Sequence, residues 1–271
     1  MSAIVDILLT RVIQIPGIRR LWVRFPFGSV PTRVRYDVWD RPNYAYGVNS
    51  AAELACKLGL PGITVIEFGV AGGNGLISLE RIAAIVGQHF GIKISVFGFD
   101  TGEGMPASVD YRDLPYVWSR GFYRMDRAGL ESKLTSAKLV IGKVEETLTS
   151  FVAPYPIGFI AFDLDYYSST KSAFRAFEAD HLPRVYCYFD DTIWPESACH
   201  NDYTGELCAI REFNMEHIDT KICQIHGLAH TQPRKAGWNE AIYVFHDFKH
   251  PLYCVNLTPK EHSQIPLMSK P

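Results

Sequence analysis

The chain has 271 residues, 47% of them hydrophobic, with 27 Lys and Arg set against 29 Asp and Glu. That length and apolar content support one large α/β domain with extensions, or two small domains, and exclude a disordered chain. The near balance of charge leaves no global field to attract nucleic acid or an acidic polymer, so no nucleic-acid partner is expected.

Six scattered cysteines contain no Cys-x-x-Cys pair, which argues against a zinc knuckle or a thioredoxin-type centre; Cys199, His200 and Cys208 also match no standard ligand frame. No run approaches the roughly 18 to 20 apolar residues of a membrane span, and the N-terminus lacks the order of a signal peptide. A cytoplasmic protein with reduced thiols is the expectation.

Residues 1–50 carry their own turn punctuation at Pro16-Gly17, Pro26, Gly28, Pro31 and Pro42, and are read as an N-terminal helical cap on a main domain spanning 51–271. Within the cap, Ile4 to Ile13 and Ile18 to Phe25 mix arginine with Trp22, Phe25 and aliphatic residues. Such a segment packs on its own domain or on a second subunit, giving a homo-oligomer; peripheral contact with a membrane surface is the other reading.

From Thr64 onward, short β-rich runs alternate with helix-like runs, the pattern of βαβ units. Strands are predicted at 64–69, 94–100, 137–142, 157–165, 184–190, 221–226 and 241–248, with helices at 75–87, 145–151, 169–181 and 205–217. The fold class is therefore α/β: a Rossmann-like, seven-stranded, mostly parallel sheet flanked by helices. Residues 107–127, rich in Tyr, Trp, Arg and Asp, follow neither period and are expected to lie over the sheet edge as a lid or substrate wall.

The first predicted strand carries Glu67 near its end and runs into Gly69-Val70-Ala71-Gly72-Gly73-Asn74-Gly75. Parallel sheets bind ligands at the carboxyl ends of their strands, and Gly69, Gly72, Gly73 and Gly75 would let backbone approach a ligand at a helix N-terminus. The spacing differs from the Gly-x-Gly-x-x-Gly of dinucleotide oxidoreductases. With Glu67 ahead of it, the turn suits a cofactor with an amino-acid tail, whose ammonium a carboxylate can hold directly or through water. Asp100 closes the second strand, where a carboxylate either accepts both hydroxyls of a ribose or caps a turn.

Two acidic pairs close the fourth and fifth predicted strands, Asp163 with Asp165 and Asp190 with Asp191. If the strands are neighbours, up to four carboxylates share one small volume and repel unless protonated or joined by a cation. Oxygen-only ligands favour a hard divalent ion such as Mg²⁺. The alternative, that these acids cap helices or bind surface lysines, leaves unexplained why two pairs end consecutive strands.

The runs Phe99-Asp100-Thr101-Gly102-Glu103-Gly104-Met105-Pro106 and Asp163-Leu164-Asp165-Tyr166-Tyr167-Ser168-Ser169-Thr170 resemble the macrocin O-methyltransferase family, over about Ile63 to Asp191. The resemblance implies a class I fold that binds S-adenosylmethionine and methylates a hydroxyl of a small molecule or sugar-containing natural product. It implies that Asp100 binds the cofactor ribose, that Asp163, Asp190 and Asp191 bind a divalent metal, with Asp163 also bordering the cofactor, and that Asp165 is the general base. The first 50 residues and the run from Gly237 to His250 have no counterpart in that pattern. Two other functions stay open: a metal-dependent nucleotide-sugar glycosyltransferase, and an inactive binding protein on the methyltransferase fold.

Tyr44, Tyr46, Tyr116, Trp118 and Trp238 are expected to wall an acceptor pocket or to pack in the core. His200, His226, His230, His246 and His250 have no recognisable partner in the sequence, although one could serve as base in place of Asp165.

Overall fold

The computed structural model describes residues 3–193 and 201–258; Cys199 and His200 lie outside the described residues. Four helices come first, α1 (Ala3–Val12), α2 (Ile18–Arg24), α3 (Val30–Arg35) and α4 (Pro42–Lys57). The chain continues through β1 (Gly62–Phe68), α5 (Asn74–Phe90), β2 (Lys93–Asp100), α6 (Arg127–Glu131), β3 (Lys138–Ile141), α7 (Val144–Thr147) and β4 (Ile157–Phe162). It ends with α8 (Tyr167–Ala173), β5 (His181–Phe189), α9 (Gly205–Glu216), β6 (Thr220–Gln224), α10 (Leu228–Thr231) and β7 (Ile242–Asp247).

The strands form one seven-stranded sheet in the order β3-β2-β1-β4-β5-β7-β6. The pairs β1–β2, β1–β4, β2–β3 and β4–β5 are parallel, and β7 runs antiparallel between β5 and β6. This is the mostly parallel α/β sheet expected from the alternation of periods. Every residue of β1 and β4 is buried, as continuous apolar runs require when helices cover both faces. One face packs Ala45, Val48, Ala51 and Ala52 of α4 with Leu76, Leu79 and Ile82 of α5. The other is aromatic, with Phe68, Phe99, Phe162, Phe174, Phe177, Phe189 and Phe245 in a single cluster.

The order reverses between β1 and β4, so the loops leaving those strands open the crevice in which such sheets bind ligands. Helix α4 covers it from the N-terminal side, and the segment before α4 is held down through Asp37. The Asp37 carbonyl accepts from Arg19 Nε (2.8 Å), while its buried side chain lies 3.4 Å from Trp238 Nε1 and 3.6 Å from Arg234. Trp22 does pack inward, stacked on Phe27 and Tyr36, whereas Leu21, Phe25 and Phe27 stay exposed. No helix among the described residues is long and apolar enough to cross a membrane.

Several element boundaries differ from expectation, the helix expected over 145–151 ending at Thr147 among them, and two of the differences bear on the site. The predicted helix over 169–181 stops at Ala173, tightens into a 3-10 turn over Phe174–Glu178 and gives way to β5 already at His181. Strand β5 thus runs through Pro183. Between the pairs Ile157–His181 and Phe159–Tyr186 the register slips, and Pro183, with no N–H to give, sits inside that irregularity. The second difference concerns the strand ends. The β4 and β5 ladders stop at Phe162 and Phe189, so Asp163, Asp165, Asp190 and Asp191 stand just beyond the sheet, the last two in a 3-10 turn.

Candidate active site

Three strand ends are tied together at the first turn. Gly69 N–H donates to the Phe99 carbonyl (2.9 Å) and Asp163 N–H to the Phe68 carbonyl (3.0 Å). Gly69 has φ +83°, and a Cβ there would fall 1.7 Å from the Asp163 carbonyl oxygen, so glycine alone allows this approach. Gly75, in the first turn of α5, leaves its side-chain space to Glu67: a Cβ would stand 1.8 Å from Glu67 Oε1. Gly73 caps α5 in the left-handed region, and beside Gly72 no protein atom would meet a Cβ within 4 Å.

Glu67 is therefore buried against the start of α5, where unpaired N–H groups favour negative charge. Its Oε1 accepts from the Tyr44 hydroxyl (2.6 Å), and its Oε2 has no partner. Burial pushes the carboxyl up to about 7, against the opposing hydrogen bond from Tyr44 and the charge of Arg41. Asp100 is fixed from two sides, its Oδ2 accepting from Ala71 N–H (2.9 Å) and its Oδ1 from Gly102 N–H (2.6 Å). Each oxygen keeps a further lone pair for a ligand hydroxyl.

The structure brings the two acidic pairs together. Burial, then Asp190 and Asp191, raise the Asp163 carboxyl far above its ordinary range; burial, then Asp163 and Asp190, push Asp165 up to about 7. Asp191 is raised by burial, then by Asp165 and Asp190, although it accepts a hydrogen bond from the Asp165 backbone. The Tyr188 hydroxyl donates to Asp190 Oδ1. Asp165 itself sits at φ +59°, a backbone position that costs a non-glycine residue about 1 kcal/mol or more.

Glu206 joins this cluster from the first turn of α9. Its Oε2 accepts from Asp191 N–H (3.1 Å), while its Oε1 and Asp191 Oδ2 are buried without a partner. Sequence reasoning missed it, yet a signal exists: Glu206 occupies the same buried stripe as Ala209, Ile210 and Phe213. An acid at a core position of an amphipathic helix needs a reason.

Residues 101–126 are irregular apart from one 3-10 turn at Tyr111–Asp113; they contain the irregular segment expected over 107–127 except Arg127, which opens α6. Met105 N–H donates to the Phe122 carbonyl (2.8 Å) and Gly121 N–H to the Met105 carbonyl (2.9 Å), closing the segment on itself. Buried Asp113 accepts from Ser168 N–H (2.9 Å) at the start of α8, and Arg112 joins Asp110 (2.7 Å) to Glu212 (2.5 Å) of α9. The segment carries Tyr123, at φ +60°, into the field of Asp165, Asp191, Asp163 and Asp190. Asp113 and Tyr123 were also not singled out by sequence.

Tyr44 belongs to the site through Glu67; Tyr46 and Trp238 instead pair with each other, ring centroids 5.7 Å apart. Within the segment, Trp118 is buried in a cluster with Met105, Leu114 and Tyr166, and Tyr116 is exposed. His246 Nδ1 lies 2.9 Å from the Tyr253 hydroxyl, and His250 Nδ1 accepts from Leu252 N–H (3.1 Å). Among the described residues no three His, Cys, Asp or Glu side chains already surround a common point as metal ligands.

The raised carboxyls set a sign for the pH dependence of stability. Glu67 moves from 4.5 to about 7, Asp165 from 3.8 to about 7 and Asp37 from 3.8 to about 6, chiefly through burial. The folded chain therefore holds more protons than the unfolded chain between about pH 4 and about pH 7, and stability falls as pH rises through that window. The ligand-free protein should lose roughly 5 °C or more of Tm between pH 5 and pH 8. A Tm that climbs over that range in a thermal scan contradicts the burial of these carboxyls.

No family model matches the chain and no curated protein is significantly similar to it. Among solved structures the chain is similar to the calicheamicin methyltransferase CalS11, at 21% identity and a TM-score of 0.51, over 89% of this chain and 90% of that one. It is also similar to the O-methyltransferase NovP, at 15% identity and a TM-score of 0.50, over 74% of this chain and 78% of that one. The chain has the fold of the class I methyltransferases. Within that class, the motifs at Asp100 and at Asp163 to Thr170 are those that resemble the macrocin O-methyltransferases.

Proposed function

We propose that the chain is an S-adenosylmethionine-dependent O-methyltransferase acting on a hydroxyl of a small molecule or a sugar-containing natural product. The observation that carries this reading is the convergence at one sheet edge of the Gly69–Gly75 turn with Glu67, Asp100, and the carboxylates beyond β4 and β5. The first three supply a seat for an adenosyl cofactor with an amino-acid tail: Asp100 for the ribose hydroxyls, and backbone at Gly69, Gly72, Gly73 and Gly75 with Glu67 for the methionine end. Asp163 borders that seat from the β4 side. The bound cofactor would supply a methyl group activated on a sulfonium. The names of CalS11 and NovP support methyl transfer, in NovP's case to oxygen.

Asp165 is the residue assigned to the acceptor's proton. A carboxyl pushed up to about 7 is half ionised near neutral pH, the poise a general base needs. Its fixed backbone, tied to the Asp191 side chain, limits the positions it can take. Tyr123 and the rest of the 101–126 segment stand where they would wall the acceptor.

Asp163, Asp190 and Asp191 are assigned to a divalent cation such as Mg²⁺. The donor set is all oxygen, as a hard cation prefers, and the buried atoms Asp191 Oδ2 and Glu206 Oε1 have no hydrogen-bond partner. A cation there would favour the ionised form of these carboxyls and make a bound hydroxyl more acidic. At pH 8, millimolar Mg²⁺ or Mn²⁺ should raise the Tm by roughly 3 °C or more, from ligand-linked stabilisation of a few kcal/mol. Asp190→Asn should lose the shift. Equal melting in chelator and in either metal removes the cation from the account.

The function itself is tested by transfer of labelled methyl from S-adenosylmethionine to a panel of hydroxylated glycosides and phenols. Heat protection by a UDP-sugar with Mn²⁺, and none by S-adenosylmethionine or S-adenosylhomocysteine, would return the glycosyltransferase reading.

A further inference from the structure

The first two helices carry a face that the rest of the described chain leaves uncovered. Leu9 of α1 and Val23 of α2 pack against the buried cluster of Ile13, Trp22, Tyr36 and Val38, which fixes the inner side of both helices. On the opposite side of α1, Ile7 and Leu8 stand one turn before Arg11. On the opposite side of α2, Leu21 stands one turn before Phe25, and Arg20 one turn before Arg24. All seven are exposed, the four apolar ones by 57% to 65%. Phe27 is stacked on Trp22, ring centroids 4.5 Å apart, and is still exposed, so the fold holds an aromatic ring in water. Single exposed apolar residues need no explanation, but a group of them interleaved with arginine marks a contact surface.

Charge decides what this surface fits. Residues 7–35 hold six of the chain's 27 Lys and Arg and none of its 29 Asp and Glu. Arg19 is used within the fold, donating to the Asp37 (2.8 Å) and Trp39 (2.7 Å) carbonyls. Arg11, Arg20 and Arg24, on the outer side, pair with no carboxylate among the described residues. A two-fold contact between copies would set this cationic face against itself, which like charge opposes. A bilayer with anionic headgroups accepts both components, the arginines among the headgroups and the Ile, Leu and Phe side chains at the acyl boundary, and it demands no matching shape.

We propose that α1 and α2 dock the protein on an anionic lipid surface, lying on it without crossing it. The docking face is fixed to the body of the protein: Gln14 Nε2 donates to the Pro233 carbonyl (2.8 Å), and Arg19 grips the segment that leads into α4. A protein bound through this face therefore keeps a set orientation toward the lipid. Docking does not depend on the reaction at the sheet edge.

The test is co-sedimentation of the full chain with vesicles of phosphatidylcholine alone and of phosphatidylcholine containing about 30% phosphatidylserine. Partition onto the anionic vesicles should exceed that onto phosphatidylcholine by about 10-fold or more in about 0.1 M salt, and should fall to the phosphatidylcholine level in about 1 M salt, where the charges are screened. Arg20→Gln combined with Arg24→Gln should weaken anionic binding by about 10-fold or more. Leu21→Ser combined with Phe25→Ser should weaken it at least as much, by removing the side chains that enter the acyl boundary. All four positions are exposed, so both variants should melt within about 3 °C of the wild type. If the serine variant does not fold, the glutamine variant decides alone. Equal sedimentation with the two vesicles, no sedimentation with either, or undiminished anionic binding by a folded variant overturns the proposal. Absent vesicle binding, a dimer that Leu21→Ser with Phe25→Ser dissociates gives the face to a second copy, and a monomer leaves it to an acidic protein; both results refute lipid docking.

Discussion

Replacing Asp165 by Asn should lower turnover by about 100- to 10,000-fold, the usual contribution of a positioned base, while affinity for S-adenosylhomocysteine stays within a few-fold. The substitution preserves shape but abolishes the proton acceptor that burial and Asp163 poise near neutrality. It also deletes one member of a mutually repelling set, so the ligand-free variant should melt higher than the wild type at pH 8. The two effects have opposite signs, which separates a lost base from a damaged fold. Full activity in a variant of raised Tm would assign the base elsewhere, with Tyr123 the next residue to examine. Asp163→Ala and Asp190→Ala are expected to abolish turnover as well, with cofactor affinity again retained within a few-fold.

Gly69→Ala should be the most destabilising single methyl in the sheet edge. The added carbon would lie 1.7 Å from the Asp163 carbonyl oxygen, and both partners are backbone. At φ +83° the residue is also strained before any contact is counted. Relief requires β1 and the chain beyond β4 to move apart, breaking the Asp163 N–H to Phe68 carbonyl bond. A loss of about 4 kcal/mol or more is expected, enough to threaten folding of a protein of ordinary stability. Gly72→Ala is the control, because its methyl meets no atom within 4 Å. Urea denaturation of the two variants checks the contrast; a Gly69→Ala midpoint equal to that of Gly72→Ala contradicts the close approach of the two chains.

The parts of this site that were legible in the sequence are those in which chemistry and strand end adjoin. Asp100, Asp163 and Asp190 lie at or just past the last residue of a strand and Glu67 one residue before it, where periodicity and topology together give position. The antiparallel place of β7 between β5 and β6 was not legible, because the residues of a short strand do not state its direction or its neighbours. The early start of β5 was not legible either, because Pro183 lies inside the strand and only the pairing to β4 shows that it is tolerated within the register slip.

Glu206 and Tyr123 escaped for a different reason. Each is carried to the sheet edge by an element whose own pattern says nothing of the edge: the start of α9 and an aperiodic segment. Their roles come from what they face. Glu206 alone left a trace, as an acid on an otherwise apolar stripe.

The central claim, that the turn from Gly69 to Gly75 seats an adenosyl cofactor, is tested most directly by equilibrium titration of the full chain with S-adenosylhomocysteine at pH 7.5. One site per chain with a Kd of about 100 μM or tighter, corresponding to at least roughly 5.5 kcal/mol of binding, is the predicted result. No detectable binding at about 1 mM ligand, a limit near 4 kcal/mol, would contradict it.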